Sequence, residues 1–305
     1  MSDEHSYVSN LRRLLRRWDP RGVLVSDARA ADAVHKLREP AGESEAALAD
    51  ARWVCDAAVH PVLEQAIPSA FRVSAFVPVT GLLSLGMIST KAPLATVVYH
   101  WLYQSHSAAT RYCNYADTTR PLDTRRMLGA YAASTGAACA ISLASISLAG
   151  RSPRLQAVGL VVPHAAVACA GAISTMMNAQ ADLSEGVRVI DAYGADRGVS
   201  RAAASMTVES AMLLHSILVP SCALLMPTLA MRSLVVPRLL NRAPALLQPI
   251  ATALVFGGVC VLTPAAAACV PPTVSLSPVR LEERFQGLRG DNGRPLPLYS
   301  SRELY

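Results

Sequence analysis

Between Trp101 and Tyr115 the chain reads WLYQSHSAATRYCNY, and here side chains able to do chemistry are densest. Taken as a helix, Tyr103, Ser107 and Arg111 fall at i, i+4 and i+8 on one face, with Gln104 and Ser105 beside them. Asn114 extends that face. Such groups either hydrogen-bond the amino and carboxylate ends of a small zwitterion or hold neighbouring helices together. Arg111 either neutralises a substrate carboxylate or snorkels to an interface, because a cation at mid-membrane costs about 2.5–3.5 kcal/mol on insertion scales. The spacing matches neither a nucleophile with its base nor a set of metal ligands, so we expect a solute path and no enzyme. His60 closes a helix ahead of Pro61, and Asp191 sits where it can organise a turn. His164 and His215, on separate apolar stretches, either form a proton or metal relay or make ordinary interhelical bonds.

The surroundings of that polar face are apolar. Of 305 residues, 52% are hydrophobic and 16% charged, against about 25% charged in a soluble chain. No charge occurs in 127–150, 155–181, 210–231 or 243–279. Each run exceeds the roughly 20 residues a helix needs to cross a bilayer. Lipid offers no hydrogen bonds, so a polar face among such segments must meet water, a solute or another helix. The net charge of +6 comes from arginines flanking apolar segments, which suits an anionic membrane surface and not nucleic acid. The seven cysteines form no CxxC pair, so neither a disulfide framework nor a zinc site is expected. No cofactor is expected either: there is no GxxxxGK[ST] and no GxGxxG, which also excludes ATP-driven transport.

In order, residues 1–68 read as a soluble helical region, 69–272 as a membrane domain and 273–305 as a polar tail. The amino terminus lacks the apolar core of a secretory signal. LRRLLRRW at 11–18 is basic and amphipathic like a mitochondrial presequence, although Asp3, Glu4 and Asp19 flank it. After an Asp19-Pro20-Arg21 turn, Ser26 or Asp27 caps a helix to about 37, and a second helix covers 43–59. Spans are expected near 71–90, 127–149, 155–177, 206–231 and 246–270, the first kinked by Pro78, Gly81 and Gly86, the fourth by Pro220 and Pro227. The semi-polar helix at 92–115 is expected to be re-entrant or buried. Between the third and fourth spans, GVRVI at 186–190 and the glycines of 191–198 predict a hairpin. The fold class is therefore all-α, a polytopic membrane protein of about five spans plus one semi-polar helix.

With the segments placed, the chain resembles the sideroflexin family across nearly its whole length. Asp19 to Ser26 is similar to the family's DPR turn and the stretch after it, and ARWVCDAAVHPVLEQ at 51–65 to a block in which His60 and Pro61 match. Arg72, Ser74, Ala75, Val77 and Pro78 keep the family spacing from that histidine. In the WxNQSxNAxxNYxNR-like run, Trp101, Gln104, Ser105, Ala108, Tyr112 and Asn114 match, while Tyr103, Ser107 and Arg111 replace three asparagines. Gln180, Leu183, Gly186, Val189, Asp191, Gly194 and Gly198 fit a further family loop. The resemblance implies a carrier of serine or related small neutral amino acids in the mitochondrial inner membrane, feeding one-carbon metabolism. It places Trp101, Tyr103, Gln104, Ser105, Ser107, Arg111, Tyr112 and Asn114 on the substrate path. His60, Pro61, Arg72, Pro78, Gly186 and Asp191 become structural or gating positions. The three replaced asparagines leave a second reading, a membrane scaffold or assembly factor that has lost transport.

Overall fold

Within the described residues the charge-free runs fold mainly as helices, which satisfy backbone amides within their own segment. The structure is a computed structural model describing residues 7–90, 92–116, 122–149, 161–270, 273–289 and 295–301. The amino-terminal region holds α1 (Tyr7–Arg17), α2 (Asp27–Arg38) and α3 (Glu45–Ala58). Then come α4 (Phe76–Ser89), α5 (Pro93–Cys113), α6 (Thr124–Ala149), α7 (Val162–Asn178) and the short α8 (Gln180–Glu185). Strands β1 (Val187–Asp191) and β2 (Asp196–Ser200) precede two long helices, α9 (Arg201–Leu239) and α10 (Pro244–Ala268). The chain closes with β3 (Thr273–Leu276), α11 (Glu283–Gln286) and β4 (Leu298–Ser301). Helix starts follow local chemistry: Ser26, Ser44 and Ser200 accept the amides of Arg29, Ala47 and Ala203 at 3.3, 3.2 and 2.9 Å. Asp123 caps α6 by accepting the Arg126 amide.

Among the described residues, α6, α9 and α10 contain stretches long and apolar enough to cross a membrane, and the chain is an all-α membrane protein. The other expected spans are shorter or differently built. α4 has 14 residues, about 21 Å at the helical rise, because residues 69–75 are taken up by tight turns tied to the amino-terminal region. Pro78 does not kink it. It lies in the first turn, where amides have no intrahelical acceptor. Gly81 and Gly86 are packing sites instead: a Cβ on them would sit 2.8 Å from the Phe256 ring and 2.2 Å from the Tyr99 ring. Residues 150–154, between the second and third expected spans, and the start of the third span lie outside the described residues.

α5 is the semi-polar helix. It runs 21 residues, about 31 Å, and its sidedness is inverted relative to a water-soluble helix. Its buried stripe is polar, Thr96, His100 and Gln104 at i, i+4 and i+8, while Leu94, Val98, Trp101 and Leu102 are exposed. A helix that turns apolar residues outward and polar ones inward is adapted to lipid outside and a polar interior.

α9 and α10 absorb their prolines without breaking. π-helical turns occupy Leu213–Leu218, Ser221–Leu225, Met231–Val235 and Gly258–Leu262, each ending two residues before Pro220, Pro227, Pro237 or Pro264. A proline ring collides with the carbonyl four residues back, and the wider turn gives it room. Thr263 Oγ1 donates to the Gly258 carbonyl at 3.0 Å, supporting one such turn.

The hairpin and the carboxy-terminal tail form a single unit, a four-stranded antiparallel sheet in the order β2-β1-β4-β3. Val189, Met206, Leu281, Phe285 and Leu298 make its core. Glu282 reaches back from the tail to accept the Ser200 hydroxyl at 2.6 Å and the Arg201 amide at 3.0 Å, reinforcing the start of α9.

Candidate solute-binding cavity

The polar residues of α5 face a cavity of about 160 Å³ enclosed by α4, α5, α6, α7 and α9. A cavity of about 150 Å³ holds a molecule the size of benzene, so this one suits a small solute. α5 contributes Tyr103, Gln104, Ser107, Thr110 and Arg111, α6 Tyr131 and Ser134, and α7 Ser174, Thr175 and Asn178. Thr80 comes from α4 and His215 from the first π-helical turn of α9. That turn lies tight against α7: a Cβ on Gly171 would sit 2.8 Å from the His215 carbonyl oxygen. Trp18 and Phe76, with ring centroids 5.2 Å apart, complete the wall on the side of the amino-terminal region.

Among the described residues lining the cavity, Arg111 carries a permanent charge. The Thr110 hydroxyl is buried without a hydrogen-bond partner. Toward the opposite end of α5 the polar stripe closes, with His100 Nε2 and Ser142 Oγ 2.7 Å apart and fully buried. Chemically the cavity offers a guanidinium for an anionic group, and hydroxyls and amides for neutral ones. Among the described residues no three His, Cys, Asp or Glu side chains converge as metal ligands.

The structure divides the sequence-predicted residues. Tyr103, Gln104, Ser107 and Arg111 share the cavity. Ser105 stands behind its wall, with its hydroxyl 2.9 Å from that of Tyr131. Trp101 and Tyr112 are exposed on the outer flank of α5 and do not line the cavity. Asn114 lies past the helix end, where its side-chain amide donates to the Phe71 and Thr110 carbonyls at 2.8 and 2.7 Å. His215 lines the cavity and His164 does not.

The remaining motif residues hold the fold. Arg72, 1% exposed, donates to the carbonyls of Ile67 at 2.7 Å, Gly22 at 3.0 Å and Val25 at 2.6 Å, and meets Asp27 at 3.3 Å. The Asp19-Pro20-Arg21 turn leads into Gly22, where a Cβ would lie 2.8 Å from the Ser74 Cβ, so only glycine allows this approach. His60 Nδ1 accepts the Val62 and Leu63 amides at 3.2 and 3.1 Å, which leaves Nε2–H to donate to the Tyr115 carbonyl at 2.8 Å. Pro61 is exposed in the turn after it, and Pro78 opens α4 as described. Gly186 has φ +92°, and a Cβ there would lie 2.7 Å from Val199. Asp191 is buried, accepting the Tyr193 and Ala195 amides and both donors of Arg197. Desolvation pushes its carboxyl up, but these hydrogen bonds outweigh it and leave the group below the usual carboxylate range.

Sequence reasoning missed Trp18, Tyr131, Ser134, Ser174, Thr175 and Asn178. One signal was available: Tyr131, Ser134 and the buried Ser142 recur at helical spacing in an otherwise apolar span.

A sequence profile described as sideroflexins matches residues 2–300. Sideroflexin-3 of Homo sapiens is 31% identical over 93% of this chain and 89% of its own length. Sideroflexin-1 of Mus musculus is 29% identical over the same shares, and sideroflexin fsf1 of Schizosaccharomyces pombe 25% identical over 96% of this chain and 94% of its own. No solved structure gives a significant match. A match over nearly the entire chain, with the motif residues placed as above, makes this protein a member of the sideroflexin family.

Proposed function

We propose that the protein carries a small neutral amino acid, serine by family likeness, across the mitochondrial inner membrane and so supports one-carbon metabolism. The observation carrying this reading is the inverted sidedness of α5, with Gln104, Ser107 and Arg111 on a cavity of a lipid-adapted bundle. The guanidinium of Arg111 matches the carboxylate of an amino acid, and the ring of hydroxyls suits its ammonium and a hydroxylated side chain. Movement is facilitated or secondary, with no nucleotide site.

The test is uptake of labelled serine by proteoliposomes, challenged with a panel of unlabelled amino acids. Competition by small neutral amino acids and none by dicarboxylic or cationic ones is expected. The scaffold reading is favoured by the replacement of three family asparagines at Tyr103, Ser107 and Arg111, all on the cavity. It predicts a folded protein that takes up no amino acid at all.

A further inference from the structure

α1 is fixed where the bundle ends. The Tyr7 hydroxyl donates to the Ala265 carbonyl at 3.2 Å, and Leu14 packs with Leu214, Val219, Ala267 and Ala268. α10 has the length and composition of a membrane span and finishes at Ala268, so α1 packs along the last turn of a candidate span.

At about 100° per residue, α1 has three faces. Asn10 and Leu14 are buried against the protein. Val8 and Leu15 form the next flank and are 50% and 48% exposed. Arg12 and Arg16 follow, also exposed. Across the helix, Arg13 and Arg17 continue the positive charge, and Asp56 on α3 faces Arg16, Arg17 and Arg13. Arg12 and Arg16, both exposed, make this flank cationic. An open apolar flank bordering a row of guanidinium groups fits a bilayer interface, with aliphatic side chains at the acyl boundary and arginines at the height of the phosphates. Guanidinium also pairs with phosphate oxygens through two parallel hydrogen bonds.

We propose that α1 is a binding site for anionic phospholipid, with Val8 and Leu15 in the acyl boundary and Arg12 and Arg16 on lipid phosphates. The site is independent of what the cavity carries.

The test is amide hydrogen exchange of residues 7–17 in the full-length protein, reconstituted in nanodiscs of phosphatidylcholine alone or mixed with phosphatidylglycerol. Exchange is expected to slow about tenfold in the anionic discs. R12Q/R16Q should abolish that difference while exchange in the β-sheet stays unchanged, showing an intact fold. Leu15→Glu should speed exchange in both lipids. Equal exchange of the wild type in the two lipids overturns the proposal. So does equal slowing when inorganic phosphate is added to neutral discs, which would mark a site for free anions.

Discussion

Arg72 and Arg111 are both withdrawn from open water, and they solve the problem differently. Around Arg72 the chain supplies acceptors: four backbone carbonyls and Asp27 surround a guanidinium that is almost wholly buried. Arg111 stands on the wall of a cavity among hydroxyl and amide groups. The same contrast divides the motif on α5, where the Asn114 amide is bonded to two carbonyls while Gln104 and Ser107 face the cavity. Residues of one motif therefore serve two purposes, and what decides is where their hydrogen-bonding capacity is directed.

The comparison breaks most visibly at Arg72. Arg72→Ala leaves several buried carbonyls unsatisfied and should destabilise the protein by about 3–5 kcal/mol, seen as loss of monodisperse protein in detergent. An unchanged melting temperature would remove Arg72 from the structural class. Asn114→Ala is expected to lower stability by about 1–2 kcal/mol, while uptake per folded molecule stays near wild type. A selective loss of uptake would move Asn114 to the solute side.

A smaller effect separates the sheet from the bundle. Asp191 is held below the usual carboxylate range as described. Desolvation raises Glu282 too, but the Ser200 hydroxyl and backbone amides pull it lower. Groups depressed in the folded state contribute fully above their unfolded pKa near roughly 4 and lose that contribution as pH falls through the folded value. Protection of the β1 and β2 amides from hydrogen exchange, relative to their intrinsic rates, should therefore fall on acidification below about pH 4, and Asp191→Asn should weaken that dependence.

Much of this was legible in the sequence, for reasons that differ by region. Serine caps, the hairpin and the apolar runs are local features, set by periodicity and turn chemistry. The polar face of α5 was also readable. Its setting was not, because burial of Thr96, His100 and Gln104 depends on neighbours distant in the chain. Pro78 was misread for a related reason: its effect depends on its place within the helix, and α4 begins later than hydropathy suggests. The pairing of the hairpin with the tail joins residues about a hundred positions apart, such as Ile190 with Tyr299, and no local signal announces it.

The central claim is that the α5 cavity is the path of the solute. Its most direct test is initial serine uptake into proteoliposomes by wild type, Arg111→Ala and Asn114→Ala, each normalised to folded protein. A loss of at least about tenfold in Arg111→Ala, equivalent to 1.4 kcal/mol, with near wild-type uptake in Asn114→Ala is the predicted result. Robust wild-type uptake that survives removal of Arg111 would contradict the account.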